Sequence, residues 1–399
     1  MDPQDDVVEK IRGEAESVYR RIQRKQKPQM KLPIRALSNV RYRPKAGYFQ
    51  LRGRNKVRTM SVGTVKTFAQ TLKMLAMSKE LIRTGRHSTK REAYYQAYNW
   101  AEAAFTSQDE SDTVMDDVEA MIAVHRERLR FRADEHGGEV AGELIVLDRD
   151  RRTRQPIEID CARFGSGAYS VPTVVEDLQF RTKAKFILAV ETKGMFERLV
   201  EEDFFDKFHC ILISMGGVPS RACRRFIRRL ADARKLPVYV FTDGDPYGYL
   251  NIYRTLKVGS GNAAHLNEFF CVPKARFLGV TPDDIVEYQL PTHPLKEVDK
   301  KRALDAMRND PFIQHHKPWQ QAIERMLDMG VRVEQQALAK HGLEFVANTY
   351  LPRKLKQVEA FLPRRRDREV LCRWARTRRR RWRRPAGAPD GRGSSSSAC

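Results

Sequence analysis

The chain has 399 residues, with 74 Lys and Arg against 51 Asp and Glu, a formal net charge of +23 and 41% hydrophobic residues. Such a length gives two or three domains with at least one sizeable core, and the composition excludes a disordered or collagenous chain. No apolar run approaches the roughly 18 residues of a membrane span, and the acidic start Met1-Asp2-Pro3-Gln4-Asp5-Asp6 excludes a signal peptide. The six cysteines form no C-x-x-C pair, so a reducing cytoplasm is expected rather than a zinc site or a disulfide framework. The basic excess points to nucleic acid as partner, with a generally solvated surface as the plain alternative.

In chain order, residues 1–30 read as a polar, helical arm. Leu32 to Met60 alternates basic and apolar residues around Pro33, Pro44, Gly47 and Gly53, as short strands and turns do. Val65, Phe68, Leu72 and Leu75 then recur at helical spacing up to Gly85. A second helix opens at Thr89, which stands three residues before Glu92 as a capping box requires. A third helical pattern covers about 112–131. Glu143–Leu147 and Pro156–Asp160 read as a hairpin with the basic tip Arg149-Asp150-Arg151-Arg152-Thr153-Arg154. Three helices followed by such a hairpin outline a winged-helix module over 31–165, with Arg151, Arg152 and Arg154 toward DNA; an ordinary α+β domain with a solvated loop fits the same pattern.

From Lys183 the texture changes. Phe186–Val190, His209–Met215, Pro237–Thr242 and Ala275–Val280 are short apolar runs separated by helical stretches, which implies an α/β domain with a parallel sheet over 180–363 and a helical C-terminal part. Such sheets bind ligands beyond the carboxyl ends of their strands. Glu191 follows the first run, and Asp243 and Asp245 follow the third. Three hard oxygen donors there would suit Mg²⁺, and Mn²⁺ also accepts such ligands; a plain turn and a helix-start carboxylate are the bland reading. Beyond Gly217-Val218-Pro219, the residues Arg221, Arg224, Arg225, Arg228 and Arg229 share one helix face, opposite Ala222, Cys223, Phe226, Ile227 and Leu230. The expectation is a buried apolar side, including Cys223, and an arginine stripe displayed to DNA or to solvent.

Arg91 and Tyr95 stand one helical turn apart, so a guanidinium lies beside a phenol and could hold a phosphodiester there, with ordinary packing and surface as the plain alternative. The stretch Ser88-Thr89-Lys90-Arg91-Glu92-Ala93-Tyr94-Tyr95 resembles the catalytic tyrosine motif of the DNA topoisomerase VI A-subunit family, to which a meiotic double-strand-break protein also belongs. The later half resembles a Toprim domain, with Glu191 as its acid and Asp243 and Asp245 as its D-x-D. The Gly217-Val218-Pro219, Asp245-Pro246-Tyr247-Gly248, Ala264-His265-Leu266 and Thr281–Thr292 blocks resemble the family too. Thr192-Lys193 after the glutamate and Cys223 depart mildly from its pattern.

The resemblance implies a winged-helix (CAP-like) domain carrying the nucleophile Tyr95, and a Rossmann-like Toprim domain. It implies a 5′-phosphotyrosyl double-strand break in DNA, with Mg²⁺ at Glu191, Asp243 and Asp245 and Arg91 on the phosphate. It further implies a homodimer in which the tyrosine of one protomer works with the acids of the other. ATP would be bound by a separate B subunit in an A2B2 assembly, with contact through the N-terminal arm, and not by this chain. The expected setting is cytoplasmic and nucleoid-associated. A cleavage-only meiotic-type enzyme, a tyrosine-independent Toprim nuclease or primase-like enzyme, and a non-catalytic DNA-binding module are the alternatives. Arg364–Cys399 holds thirteen Arg against three acids, a net +10, and its Arg/Ser-rich composition reads as a disordered tail.

Overall fold

In a computed structural model, residues 3–133, 137–150, 152–261 and 263–360 are described. The chain divides into Met1–Leu351 and a second unit, Pro352–Cys399, whose described part, up to Ala360, is helical. The expected tail lies outside the described residues.

The N-terminal half opens with α1 (Pro3–Gln23), then four short strands: β1 (Gln29–Pro33), β2 (Val40–Arg43), β3 (Tyr48–Leu51) and β4 (Asn55–Thr59). β1 pairs antiparallel with β4, and β2 with β3. Helix α2 (Val65–Thr84) stops where Gly85 takes φ +66°, a left-handed conformation that costs a glycine little. Strand β5 (Ser88–Thr89) leads into α3 (Lys90–Gln96), and α4 (Gln108–Ile122) and β6 (Phe131–Arg132) follow. β5 pairs with β6, closing the helical region. Met74, Leu75, Ala93, Val114, Met115, Val118 and Phe131 form its core, with Val7 and Ile11 of α1 packed in. Helix α4 starts and ends earlier than its pattern predicts, because Ser107 caps it and Ala123 turns left-handed at φ +51°.

The hairpin β2–β3 departs from the expected domain. Val40 and Phe49 pack with Tyr249, Leu250, Phe312 and Ile313, so this piece of the N-terminal segment sits on the α/β half.

Strand β7 (Glu139–Gly142) precedes β8 (Ile145–Arg149), β9 (Pro156–Asp160), β10 (Tyr169–Ser170) and β11 (Gln179–Arg181). The predicted hairpin exists as β8–β9, yet it is not a wing on the helical region. It joins β11 in a three-stranded sheet, and Val146 and Phe180 of that sheet are buried with Phe226 and Ile227 of the α/β half. Apolar residues on one side of the hairpin decide this, since that side must be covered.

The α/β half holds β12 (Phe186–Val190), α5 (Lys193–Glu201), α6 (Phe204–Phe208), β13 (Cys210–Ser214), α7 (Arg221–Arg234) and β14 (Val238–Phe241). A π-helical turn (Gly248–Tyr253), α8 (Arg254–Val258), α9 (Asn267–Phe270) and β15 (Arg276–Gly279) follow. The sheet order is β10-β7-β13-β12-β14-β15. Its four later strands run parallel, as predicted, and β7 and β10 extend the sheet antiparallel. β7 is hidden in the sequence by its length and its glycines: Gly142 takes φ +109°, where a Cβ would lie 2.5 Å from the Cys210 carbonyl oxygen. The C-terminal layer comprises α10 (Pro282–Glu287), β16 (His293–Pro294), α11 (Glu297–Asn309), α12 (Pro311–Gln314), α13 (Lys317–Met329) and β17 (Val331–Arg332). Among the described residues no helix is long and apolar enough to cross a membrane.

Candidate functional site

Strands β12 and β14 are neighbours, with Val190 opposite Phe241, so their carboxyl ends deliver Glu191 and Asp243 to one corner. The backbone N–H of Asp243 donates to Glu191 Oε2 at 2.8 Å, that of Gln335 donates to Asp243 Oδ1 at 2.8 Å, and that of Gly248 donates to Asp245 Oδ1 at 2.6 Å. One oxygen of each carboxylate is thereby fixed by backbone. Glu191 is only 7% exposed. Burial, and then the charge of Asp243, pushes its carboxyl up to about 8. Burial raises Asp243 to about 6 against the Gln335 hydrogen bond, and burial raises Asp245. Arg332, whose charge lowers both aspartates against burial, is engaged by Glu334 at 3.3 Å.

Among the described residues no group of three or more His, Cys, Asp and Glu is closed into a metal-binding cluster, so the expected convergence is reached only as an open corner. The donor chemistry nevertheless fits a hard divalent cation. One buried and two half-buried carboxylates that repel one another are costly to bring together, and an oxygen-seeking cation would relieve that cost.

Tyr95 and Arg91 occupy α3, whose N-terminus carries the predicted capping box: Glu92 N–H donates to Thr89 Oγ1 at 3.1 Å, and Thr89 N–H to Glu92 Oε2 at 2.6 Å. Lys90 pairs with Asp112 of α4 and Ala93 is fully buried, so the helix is seated at its start and its middle. The two tyrosines differ. Tyr94 shares a 2.8 Å hydrogen bond with the Tyr98 hydroxyl, which raises its pKa. Tyr95 is 53% exposed and stacks on Tyr98 at 6.0 Å, with the Arg91 guanidinium 5.9 Å from its ring centre. Among the described residues its ring contacts are with Tyr94, Tyr98 and Arg91, all on or next to the same helix.

The arginine face of α7 is not displayed. Arg221 is held by Glu119 (2.6 Å) and Glu127 (3.0 Å), Arg225 by Glu176 (2.7 Å), and Arg228 by Asp232 (2.5 Å) and the Cys271 carbonyl. Arg229 donates to the Val175 and Leu178 carbonyls. Arg224 lies over the Phe270 ring at 5.8 Å and lines, with Glu139 and Lys193, a cleft of about 680 Å³ at the start of α7. Four of the five are thus clamps between elements, because acids or carbonyls from distant segments meet Arg221, Arg225, Arg228 and Arg229, while Arg224 faces the cleft. The opposite face of α7 is buried as predicted, and burial pushes the Cys223 thiol up to about 12.

At the hairpin tip, Arg152 and Arg154 are exposed around a turn organised by Asp150, and Arg151 lies outside the described residues. Arg154 lines a second cleft, of about 860 Å³, with Glu158, Asp177 and Arg229.

The network under α7 was missed in the sequence, since Glu119 and Glu127 are nearly a hundred residues from Arg221. Burial opposes the charge of Glu127, but Arg221, the His125 hydrogen bond and Arg126 outweigh it and hold its pKa down, at about 2. A depressed folded-state value stabilises the fold above the usual glutamate value of about 4.5 and loses that effect as pH falls toward 2. Urea unfolding is therefore expected to lose on the order of 2 kcal/mol across that window through this group. A Glu127→Gln variant with an unchanged acid dependence would contradict the assignment.

The comparisons with known proteins agree with this layout. Residues 186–355 match the family model for the Toprim domain of the topoisomerase 6 A subunit/Spo11 proteins, residues 66–131 match "Type IIB DNA topoisomerase", and residues 134–184 match "All-beta domain in DNA topoisomerase VI alpha subunit". The last agrees with a separate sheet in place of a wing. The chain is 50% identical over 361 residues to the type 2 DNA topoisomerase 6 A subunit of Methanocaldococcus jannaschii, covering 90% of this chain and 97% of that protein. It is 39% identical over 336 residues to the corresponding protein of Haloarcula marismortui, covering 83% and 90%, and 37% identical over 351 residues to that of Archaeoglobus fulgidus, covering 87% and 96%. Seated tyrosine, acidic strand ends and similarity along nearly the whole chain converge: the protein belongs to the DNA topoisomerase VI A-subunit family, the DNA-cleavage subunits of type IIB topoisomerases.

Proposed function

We propose that Tyr95 is the nucleophile of a reversible DNA transesterification. The observation that carries this reading is the division of labour on α3: Tyr94 is tied to Tyr98, whereas Tyr95 is exposed beside Arg91. Tyr95 Oη gives its proton to solvent and attacks a backbone phosphorus; the Oη–P bond forms, the P–O3′ bond breaks, and the leaving oxygen takes up a proton from solvent as the 3′-hydroxyl, so the step is proton-neutral overall. Arg91 holds the phosphate, and the reverse attack by the 3′-hydroxyl reseals the strand without an external energy source. Glu191, Asp243 and Asp245 would hold Mg²⁺, which when bound neutralises phosphate charge and stabilises the departing oxygen. The helical region around α2–α4 would serve as the winged-helix-type DNA module, and an ATP-binding B subunit would supply strand passage, as the family suggests. Denaturing the protein with DNA and mapping the trapped adduct tests this reading; an adduct on any residue other than Tyr95 overturns it.

Asp243→Asn is expected to reduce adduct formation at least about 10²-fold in Mg²⁺, the scale of several kcal/mol of charge stabilisation. The local contacts of Tyr95 support a cleavage centre shared between protomers. Mixing Tyr95→Phe with Asp243→Asn protein would then regenerate one intact centre per mixed dimer and nick supercoiled DNA. Mixtures as inert as their parents would place tyrosine and acids in the same protomer.

A further inference from the structure

Of the 63 residues from Ser17 to Lys79, 17 are Lys or Arg and none is Asp or Glu. With the net +10 of Arg364–Cys399 set aside, residues 1–363 carry +13, so the 300 of them outside this segment sum to −4. The positive charge of the enzyme portion therefore originates in one stretch of chain. Among the described residues only three of the 17 enter ion pairs: Arg20 with Glu16, Arg35 with Asp116 and Asp117, and Arg58 with Asp117.

The hairpin β2–β3 presents part of this charge on a rigid mount. Its register sets Val40 opposite Leu51 and Tyr42 opposite Phe49 on one face, and Arg41 opposite Gln50 and Arg43 opposite Tyr48 on the other. The first face joins the core around Tyr249, Leu250 and Phe312. Asn267 Nδ2 donates to the Phe49 carbonyl at 2.9 Å, and the Arg254 guanidinium stacks 4.7 Å from the Phe49 ring centre. Arg41, Arg43 and the turn residue Lys45 are exposed on the outer side. The turn closes through Gly47, at φ +77°, whose N–H donates to the Arg43 carbonyl at 2.7 Å. Arg41 and Arg43 are about 6.8 Å apart along the strand, a spacing of the same order as neighbouring phosphates on one DNA strand. Tyr249 and Leu250 follow Asp245 by four and five residues, so the hairpin rides on the turn that leaves the acidic corner.

We propose that this outer face of β2–β3 is a contact surface for the phosphate backbone of duplex DNA flanking the cleaved bond, reading charge and not sequence. It rests on the DNA-cleaving reading above. Guanidiniums carried on an anchored strand suit phosphate oxygens, and each phosphate neutralised releases counterions. Because the hairpin's folded anchors lie on its inner face, neutralising the outer one leaves the fold in place.

The test compares the full-length wild type with the triple variant Arg41→Gln/Arg43→Gln/Lys45→Gln, and with a charge-matched control, Lys185→Gln/Lys235→Gln/Lys301→Gln. Binding to a long duplex is measured across salt concentrations, together with melting temperature and Tyr95 adduct at saturating DNA. The hairpin variant is expected to lower the slope of log K against log salt by about 2 to 3, with melting and saturated adduct yield as in wild type and the control unchanged. An unchanged slope overturns the proposal, as does an equal fall in the control, which would reflect overall charge alone. An unchanged slope with lost retention of an acidic protein partner assigns the face to protein and equally overturns it. Loss of adduct in the wild type itself would sink the catalytic reading while leaving the slope comparison readable.

Discussion

Tyr95→Phe is expected to abolish the covalent protein–DNA adduct, a fall of at least about 10³-fold and below detection in a gel assay, while leaving DNA affinity within a factor of two or so. The substitution removes only the hydroxyl oxygen. The ring keeps its stacking on Tyr98, and the seating of α3 by Thr89, Glu92, Lys90 and Ala93 does not involve it. The companion substitution Tyr94→Phe breaks the 2.8 Å bond to Tyr98 and should leave adduct formation largely intact. The contrast separates a nucleophile from a packing residue. If Tyr95→Phe cleaves at the wild-type rate, a tyrosine-independent Toprim nuclease becomes the better reading.

Arg221→Ala carries the largest expected cost in stability. Its guanidinium is 13% exposed and bridges α7 to Glu119 and Glu127 on the helical side, with the Phe270 ring 4.9 Å away. Glu119, at 1% exposure, also accepts the Arg126 backbone N–H. Deleting the arginine takes the cation from the buried Glu119 and leaves the half-buried Glu127 to Arg126 and His125 alone, which costs about 3–5 kcal/mol. Equilibrium urea unfolding measures it. Combining Arg221→Met with Glu119→Gln and Glu127→Gln should recover most of the loss, because a matched apolar and neutral set no longer carries stranded charge. A loss below about 1 kcal/mol for the single variant would mean that water reaches the acids and the clamp is a surface pair.

The strand-end acids and the tyrosine helix were legible because their signals are local. Thr89 and Glu92 lie within one turn, and Asp243 and Asp245 within one loop, so spacing alone sets their geometry. The α/β half was legible for the same reason: an apolar run such as Phe186–Val190, buried at every position, must be a central strand. The hairpin β8–β9 was found as a hairpin and misplaced as a wing. Pairing within it is local, whereas its third partner, Gln179–Arg181, and its cover, α7, are chosen by what remains apolar after other faces close. The arginine face of α7 failed more instructively. Five arginines at helical spacing look identical whether solvent or distant acids face them.

The basic excess that marks this sequence was sufficient, with the tyrosine and strand-end motifs, to indicate a nucleic-acid enzyme and its family. Its placement was not. Tertiary structure turned Arg221, Arg225 and Arg228 into internal clamps, brought β7 and β10 into the main sheet, and left Arg41, Arg43 and Lys45 exposed on a hairpin seated on the α/β half. The physical reason is common to all three. Residue type and spacing determine what a side chain can do within one element, but whether a charge meets water, DNA or a buried carboxylate depends on which distant segment packs against it.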